Sequence, residues 1–164
     1  MADVRRTEPG DGPLLRVLRL RALETDPLAF SSTFARELAW HDEWEAWAVR
    51  HASGEDEATF LAVSDDGVPA GLAGAFRDEA VATRFELFSM WVAPEHRRAG
   101  HAAAIVEAVV EWARASGGHE LLLSVTEPGA QAFYARCGFR ADGRDEPLPH
   151  TPAVTMVGMR RALH

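Results

Sequence analysis

The stretch MWVAPEHRRAGHA, residues 90–102, contains the features that decide the fold. An apolar run stops at Pro94, a short polar turn carries Arg97 and Arg98, and Gly100 opens a segment rich in alanine. A strand–turn–helix junction of this kind leaves the first amides of the helix without carbonyl partners, and the helix dipole attracts an anion to them. Small residues let a phosphate approach the backbone, and arginines add charge-assisted hydrogen bonds. The stretch therefore predicts a phosphate-binding turn, although a helix packed on a sheet beside two solvated arginines gives the same pattern.

The segments on both sides of this turn alternate between strand and helix patterns. A strand is predicted over residues 85–92, a long helix over 99–116, and a strand buried on both faces over 121–125. The other predicted strands are residues 3–7, 59–64, 70–76, 153–159 and one that begins at Phe139. The other predicted helices run from about Gly10 to Asp26, over 32–51 and over 128–136, with residues 142–152 as a loop. We expect an α/β fold with a mixed, largely antiparallel central sheet of about seven strands flanked by four helices.

Length and composition limit the classes of protein to which this chain can belong. A chain of 164 residues suits one compact domain, here residues 1–164. A net charge of −8 argues against a nucleic-acid partner, because phosphates require a basic surface. Cys137 is the single cysteine, which excludes an intramolecular disulfide. The N-terminal residues lack the apolar run of a secretory signal, and no run is long enough to span a bilayer, so we expect a cytoplasmic protein without a membrane partner.

Two motifs resemble those of the GNAT superfamily of acetyl-coenzyme A-dependent N-acetyltransferases. The run RRAGHA, residues 97–102, is similar to the signature Gln/Arg-x-x-Gly-x-Gly/Ala between a strand and a long helix. The run AQAFYARCGF, residues 130–139, resembles the second motif, Ala-x-x-Phe-Tyr-x-x-x-Gly-Phe. Ala102 replaces the commoner glycine, and Glu127 stands where an asparagine is common. By motif the resemblance covers residues 85–139.

The resemblance implies a fold, a co-substrate and the residues that hold it. The fourth and fifth strands of the sheet are expected to splay apart, with acetyl-coenzyme A (acetyl-CoA) between them as co-substrate. Backbone groups of Met90 and Val92 are expected to pair with the pantetheine arm, and the Met90 amide to lie near the thioester carbonyl. The residues implied in cofactor binding are Met90, Trp91, Val92, Arg97, Arg98, Ala99, Gly100, His101, Ala102 and Ala103. The activity implied is N-acetylation of a primary amine by direct attack in a ternary complex.

Two residues are candidates for the proton transfers that amine acetylation requires. Glu86 precedes Arg97 by eleven positions, a spacing that resembles the glutamate base of histone-type members, and strand alternation predicts that it shares a face with Phe88, Met90 and Val92. In an apolar cleft its pKa is raised towards useful base strength. The alternative is an exposed edge glutamate paired with Arg84 or another arginine.

Tyr134, the single tyrosine of the chain, occupies the motif position of the acid that stabilises the departing thiolate. The alternative is a half-buried helix tyrosine packed against the sheet. Cys137 is interpreted as a packing residue, because its neighbours supply no paired base.

The acceptor site is predicted only as a region. Phe30, Ser31 and Trp40 lie where related enzymes shape it, while the tryptophan stripe of residues 40, 44 and 47 is more typical of a buried helix face. We expect a small-molecule amine as the acceptor, and a homodimer is suggested by the resemblance alone. The spacing of histidines and Cys137 predicts no metal site. The alternatives are acetylation of a protein N-terminus or lysine, a non-catalytic acyl-CoA-binding regulatory module, and a turn that binds another phosphate ligand.

Overall fold

The structure, a computed structural model, describes residues 3–164 and contains eight strands and five α-helices in that part of the chain. The strands are β1 Asp3–Arg6, β2 Glu57–Val63, β3 Pro69–Arg77, β4 Arg84–Val92, β5 Glu120–Val125, β6 Arg140–Ala141, β7 Glu146–Leu148 and β8 Thr151–Ala162. The helices are α1 Gly12–Thr25, α2 Phe34–Leu38, α3 Glu43–His51, α4 His101–Ala115 and α5 Pro128–Arg136. Between residues 3 and 164, no helix combines the length and apolar character needed to cross a membrane.

The sheet is mixed and open, as the sequence predicts. Its strand order is β1-β2-β3-β4-β5-β8-β6, and β7 pairs with β8 beside this path. Every pairing is antiparallel except that of β4 with β5. That parallel ladder joins Arg84 to Glu120, Phe85 to Leu121 and Glu86 to Leu122 and then stops, although both strands continue. The expected splay of the fourth and fifth strands is therefore confirmed, and it opens a cleft in the centre of the sheet.

Helices cover both faces of the sheet and bury two separate apolar clusters. Helix α4 presents Ile105, Val106 and Val109, all fully buried, to one face. Helices α1 and α3 pack Leu15 and Trp44 against the other face. Neighbouring residues of a strand contribute to different clusters, because their side chains point to opposite faces of the sheet. The cleft therefore lies in a sheet that helices hold from both sides.

A β-bulge in β4 corrects the predicted alternation. The register with β3 shifts between Phe88 and Trp91, and Ser89 has a φ of 60°. The extra residue reverses the sequence of faces, because two residues of one strand then oppose one of its partner. Glu86 and Phe88 consequently face α1 and α3, whereas Met90 packs against the α4 cluster. The prediction that Glu86 shares a face with Met90 and Val92 is wrong.

Two segments differ from the elements predicted for them. Residues 32–51 form two helices, because the Glu43 side chain accepts the His41 amide at 2.7 Å and this local bond interrupts the helix. Trp44 and Trp47 are buried in the core as the stripe predicts, while Trp40 lies in the interruption and is half-buried. The predicted loop 142–152 contains β7, whose proline is tolerated because the strand pairs on one side only.

Candidate active site

The opening between β4 and β5 continues into three adjoining cavities that share Phe88 and Ser89. The inner cavity, of about 100 Å³, lies between the strands and is lined by Met90, Val125 and Tyr134. The middle cavity, of about 340 Å³, is lined by Arg19, Phe30, Ser31, Ser32, Glu86 and Met156. The outer cavity, of about 320 Å³, is lined by Arg19, Glu37, Trp40, Glu43, Trp47 and His51. The two predicted catalytic residues thus line neighbouring parts of one continuous cleft.

Glu86 is half-buried at the point where the β4–β5 ladder ends. Burial raises the pKa of its carboxyl group, and attraction to the Arg144 guanidinium opposes this in part. Arg84 does not pair with it, since the Arg84 Nε donates to Glu120 Oε1 at 2.8 Å. Among the described residues Glu86 forms no ion pair within 4 Å. Its environment is therefore that of a carboxylate with increased basicity that faces a cavity, and the alternative of an Arg84-paired edge glutamate is wrong.

Tyr134 is 7% exposed and reaches the inner cavity from α5. Its ring packs edge-on against Phe133 and Phe139, with centroid distances of 5.1 and 5.7 Å. Burial raises the pKa of the phenol well above its ordinary value, and the neighbouring Cys137 acts in the same direction. The hydroxyl is therefore held protonated, which suits a hydrogen-bond donor to a developing thiolate. Tyr134 can both pack in the core and donate a hydrogen bond, because its ring is buried while the residue lines the cleft.

The turn between β4 and α4 has the geometry of an anion site. Gly100 is the residue before the helix, with a φ of 85°, and Arg98 also has a positive φ of 65°. The first recorded helical bond runs from the Ala104 amide to the Gly100 carbonyl at 3.1 Å, so the amides of residues 101–103 precede it. Apart from Gly100 and its chain neighbours, no atom of residues 3–164 lies within 4 Å of the position that a β-carbon of residue 100 would occupy. The backbone here is accessible to a large group, and the binding of a phosphate at this turn stays a prediction.

The arginine side chains of the turn differ in what they contact. Arg97 Nε donates to the Val92 carbonyl at 2.9 Å, and its Nη2 contacts Asp26 Oδ2 at 2.9 Å. The Trp91 indole donates to the same carboxylate at 2.7 Å. These bonds tie the turn to the end of α1 and commit the Arg97 guanidinium to protein partners. Arg98 is exposed and, among residues 3–164, makes no ion pair, so it is the arginine left free for a phosphate.

The remaining residues predicted at the turn are unevenly exposed. His101 is 5% exposed, its ring meets that of His96 at 6.1 Å, and its buried Nδ1 lacks a partner among the described residues. Ala99 and Ala103 are exposed, and Ala102 packs against the core. In β4, the ladder with β3 pairs Trp91 and Val92, whereas Met90 lies in the bulge without a β3 partner. The binding roles of these residues stay predictions.

The segment predicted to shape the acceptor site lies over the middle cavity. Phe30 and Ser31 line it, and Trp40 lines the outer cavity. The Phe30 carbonyl lies 2.8 Å from His150 Nε2, and the Ser31 hydroxyl contacts Met156 Sδ at 3.5 Å. The segment is therefore anchored to the region that leads into β8, and the structure brings these side chains together with Glu86 in one cleft.

Sequence reasoning missed a buried ion pair in this cleft. Arg19, on α1, forms two bonds to Glu37, at 2.9 Å from Nε and 3.0 Å from Nη2, and their side chains are 9% and 2% exposed. An arginine on the otherwise apolar face of α1 is the one sequence signal for it, and nothing in the sequence identifies its partner. Ser89 was also missed, because a bulge in an apolar strand has no local signature.

Glu37→Gln is expected to lower the free energy of unfolding by about 2 kcal/mol, because Arg19 loses its charged partner inside the fold. Urea denaturation measures the change. The matched control is Glu95→Gln, which breaks the exposed ion pair with Arg21 and is expected to leave stability unchanged. Equal effects of the two substitutions would contradict the energetic role of the buried pair.

Neither a metal site nor a reactive thiol is found among the described residues. Within the described residues no three His, Cys, Asp or Glu side chains are grouped so as to hold a metal ion. The Cys137 thiol is free and half-buried, and burial raises its pKa, which disfavours the nucleophilic thiolate.

Comparisons with known proteins agree with this geometry. A sequence model of the acetyltransferase (GNAT) family matches residues 19–139, which is most of the chain. Streptothricin acetyltransferase from Streptomyces lavendulae is 38% identical over 101 residues, or 59% of this chain and 53% of that protein. The chain thus spans about half the length of this relative.

Two solved structures share the fold over nearly the whole chain. An acetyltransferase of the GNAT family from Streptococcus pneumoniae superposes with a TM-score of 0.82 and 25% identity, covering 100% of both chains. Spermidine N-acetyltransferase from Vibrio cholerae, solved in complex with CoA and spermine, gives a TM-score of 0.78 at 19% identity, covering 99% of this chain and 95% of that one. At that identity the second likeness is one of fold.

Proposed function

This chain belongs to the acetyltransferase (GNAT) family, and from that premise we propose that it transfers an acetyl group from acetyl-CoA to a primary amine of a small molecule. The amine attacks directly while both substrates are bound. Activity, acceptor and mechanism are part of this proposal.

One observation carries the proposal: Glu86 and Tyr134 line adjoining cavities of the cleft that opens where β4 and β5 separate. The accessible turn at Gly100 follows the far end of β4. Along the cleft, the turn at Gly100 would bind an anion and the opening between β4 and β5 would hold an extended chain. Beyond them lie the buried donor Tyr134 and the basic carboxylate Glu86. Holding two reactants in such a slot supplies much of the rate by proximity.

Acetyl-CoA, when bound, supplies an acetyl thioester, and the residues present fit it. The backbone amides of residues 101–103 and the Arg98 guanidinium would hold the pyrophosphate. The free edge of β4 would pair with the pantetheine arm as a neighbouring strand does. The Met90 amide, in the bulge, would donate to the thioester carbonyl oxygen as negative charge develops there.

Glu86 removes the proton from the incoming ammonium, directly or through a water, because an ammonium has no lone pair with which to attack. Its raised pKa makes the carboxylate a better base than an exposed glutamate. Tyr134 donates a hydrogen bond to the departing sulfur from the other side of the cleft. Burial raises the pKa of its hydroxyl, so the hydroxyl stays protonated at neutral pH.

A small-molecule acceptor is supported by the size of the cleft beyond Glu86. The middle and outer cavities have volumes of about 340 and 320 Å³. Side chains of α1, of α3 and of residues 29–32 bound them. The relative named streptothricin acetyltransferase is, by its name, an enzyme that acts on a small molecule. An extended protein chain would require a groove open at both ends.

Calorimetric titration with acetyl-CoA, followed by thiol release with a panel of amines, tests the proposal. We expect one saturable site per chain and turnover that depends on a primary amine. Absence of binding at millimolar acetyl-CoA would withdraw the enzyme assignment. Binding without turnover of any amine would instead indicate a regulatory acyl-CoA module.

Glu86→Gln is expected to lower kcat/KM about tenfold and to flatten the acidic limb of its pH profile. The sign follows from the raised pKa: the carboxylate is the active form, so wild-type activity falls as the pH drops through that pKa. Glu146→Gln is the matched control, since that exposed carboxylate lines none of the three cavities; it should keep the acidic limb and move it to slightly lower pH, because Glu146 helps to raise the pKa of Glu86. A mutant profile with an unchanged acidic limb would indicate another base.

A further inference from the structure

Three residues that line the middle cavity carry a buried polar atom without a hydrogen-bond partner among the described residues. Five buried side-chain nitrogen or oxygen atoms of the described residues lack a hydrogen-bond partner, and three of them belong to residues that line this cavity. They are Arg19 Nη1, Ser32 Oγ and Ser89 Oγ. Buried polar groups are nearly always paired in folded proteins, and a group left unpaired destabilises the fold. A ligand bound in this cavity would supply the partner that these three residues lack.

The chemistry of these atoms specifies the partner. Arg19 Nη1 can only donate, and the serine hydroxyls can donate as well. An oxygen acceptor therefore suits each of the three atoms. The Arg19 guanidinium is fixed in place, because its other two nitrogens bind Glu37 and its carbon lies 4.8 Å from the centre of the Phe30 ring.

The local charge favours a neutral oxygen over a carboxylate. Glu37 already compensates the charge of Arg19, and Glu86 lines the same cavity. A carboxylate placed there would meet the Glu86 carboxylate without an uncompensated cation to offset it. An amide carbonyl has the acceptor oxygen and no charge.

Building on the proposed function, we propose that the acceptor is an aminoacyl compound, a primary amine carried on the carbon next to an amide carbonyl. The amine lies towards Glu86, the carbonyl oxygen accepts from Arg19 Nη1 and from one serine hydroxyl, and the other of the Ser32 and Ser89 hydroxyls accepts from the amide N–H. The group attached to the amine-bearing carbon extends into the outer cavity, where Trp40 and Trp47 provide aromatic walls. A simple polyamine lacks the oxygen that this subsite requires.

Three acceptors with the same aromatic group test the inference on the intact chain: phenylalaninamide, phenylalanine and phenethylamine. Loss of one charge-assisted hydrogen bond corresponds to about a 10- to 100-fold weaker interaction. We therefore expect phenylalaninamide to bind the CoA-saturated protein at least tenfold more tightly than phenethylamine, and phenylalanine to bind more weakly than the amide. Calorimetry measures binding without any need for turnover. Equal or tighter binding of phenethylamine, or no binding of the amide, overturns the inference.

The three probes differ in the intrinsic reactivity of their amines. Variants of the protein avoid this difference, because they change only the residues that recognise the probe. Ser32→Ala with Ser89→Ala is expected to reduce the amide-to-amine preference about tenfold, with a melting temperature equal to or above that of the wild type. Arg19→Met with Glu37→Met removes the third donor without leaving a buried charge, and should reduce the preference in the same direction. Ser116→Ala, a buried serine at the end of α4, is the control and should not alter it. An unchanged preference in both double variants overturns the inference.

A peptide N-terminus carries the same aminoacyl group as a small compound, so a tetrapeptide with N-terminal phenylalanine distinguishes the two sources. Exclusion of the peptide with acceptance of the amide assigns a small molecule, and equal acceptance assigns a peptide. The inference and the proposed function fail separately. Without acetyl-CoA binding the function falls, whereas acetyl-CoA-dependent turnover that favours phenethylamine leaves the function standing and removes the aminoacyl subsite.

Discussion

Replacing Gly100 with glutamate is expected to weaken acetyl-CoA binding about 10³-fold, which corresponds to about 4 kcal/mol. The φ of 85° at this position is one that side chains with a β-carbon rarely adopt, so the substitution strains the turn. The new carboxylate would also lie beside the amides of residues 101–103 and repel the pyrophosphate. The strain and the repulsion both weaken the charge-assisted hydrogen bonds between the pyrophosphate and the backbone amides of the turn. Calorimetric titration with acetyl-CoA measures the loss.

The matched control for this variant is Gly67→Glu. Gly67 has a φ of 77° and, like Gly100, has no atom within 4 Å of an added β-carbon, but it lies in the turn between β2 and β3. The control therefore introduces a similar backbone strain and the same added charge, but both lie away from the turn before α4. Similar affinity loss in the two variants would attribute the effect to destabilisation, and unchanged affinity in Gly100→Glu would remove the turn from the cofactor site.

Replacing Tyr134 with phenylalanine is expected to lower kcat about 10²-fold while leaving the affinity for acetyl-CoA unchanged. The ring, which packs against Phe133 and Phe139, is retained, so the core loses no volume. Only the hydroxyl that faces the inner cavity disappears. Because burial raises the pKa of that hydroxyl, ionisation of the tyrosine should not produce an alkaline decline in wild-type activity within the usual assay range.

Steady-state and single-turnover measurements on Tyr134→Phe distinguish chemistry from product release. Cys137→Ala is the companion variant, since Cys137 is a half-buried neighbour of Tyr134 with no assigned role. It should preserve kcat. A Tyr134→Phe enzyme with wild-type kcat would show that the sulfur departs without this donor, and the tyrosine would then be a packing residue only.

Local sequence rules were sufficient for the elements that surround the turn. The strand before Pro94, the small residues after Gly100 and the apolar run 121–125 each follow a regular period or a strong stop signal, and the structure places β4, α4 and β5 there. The helix predicted over residues 128–136 has the same bounds in the structure. Such signals act between residues close in sequence, and for that reason they can be predicted from it.

Tertiary structure decided the arrangement of the site. The bulge at Ser89 turns Glu86 away from Met90, and it depends on the register between β3 and β4 rather than on local propensity. The pair of Arg19 with Glu37 joins residues 18 positions apart on separate helices. Burial, hydrogen-bond partners and the accessible cleft all arise from contacts between elements distant in sequence. The sequence by itself indicated the family and predicted a phosphate-binding turn and a candidate acid and base, because motifs are local, whereas only packing decided which face each side chain occupies and which buried polar atoms lack a partner among the described residues.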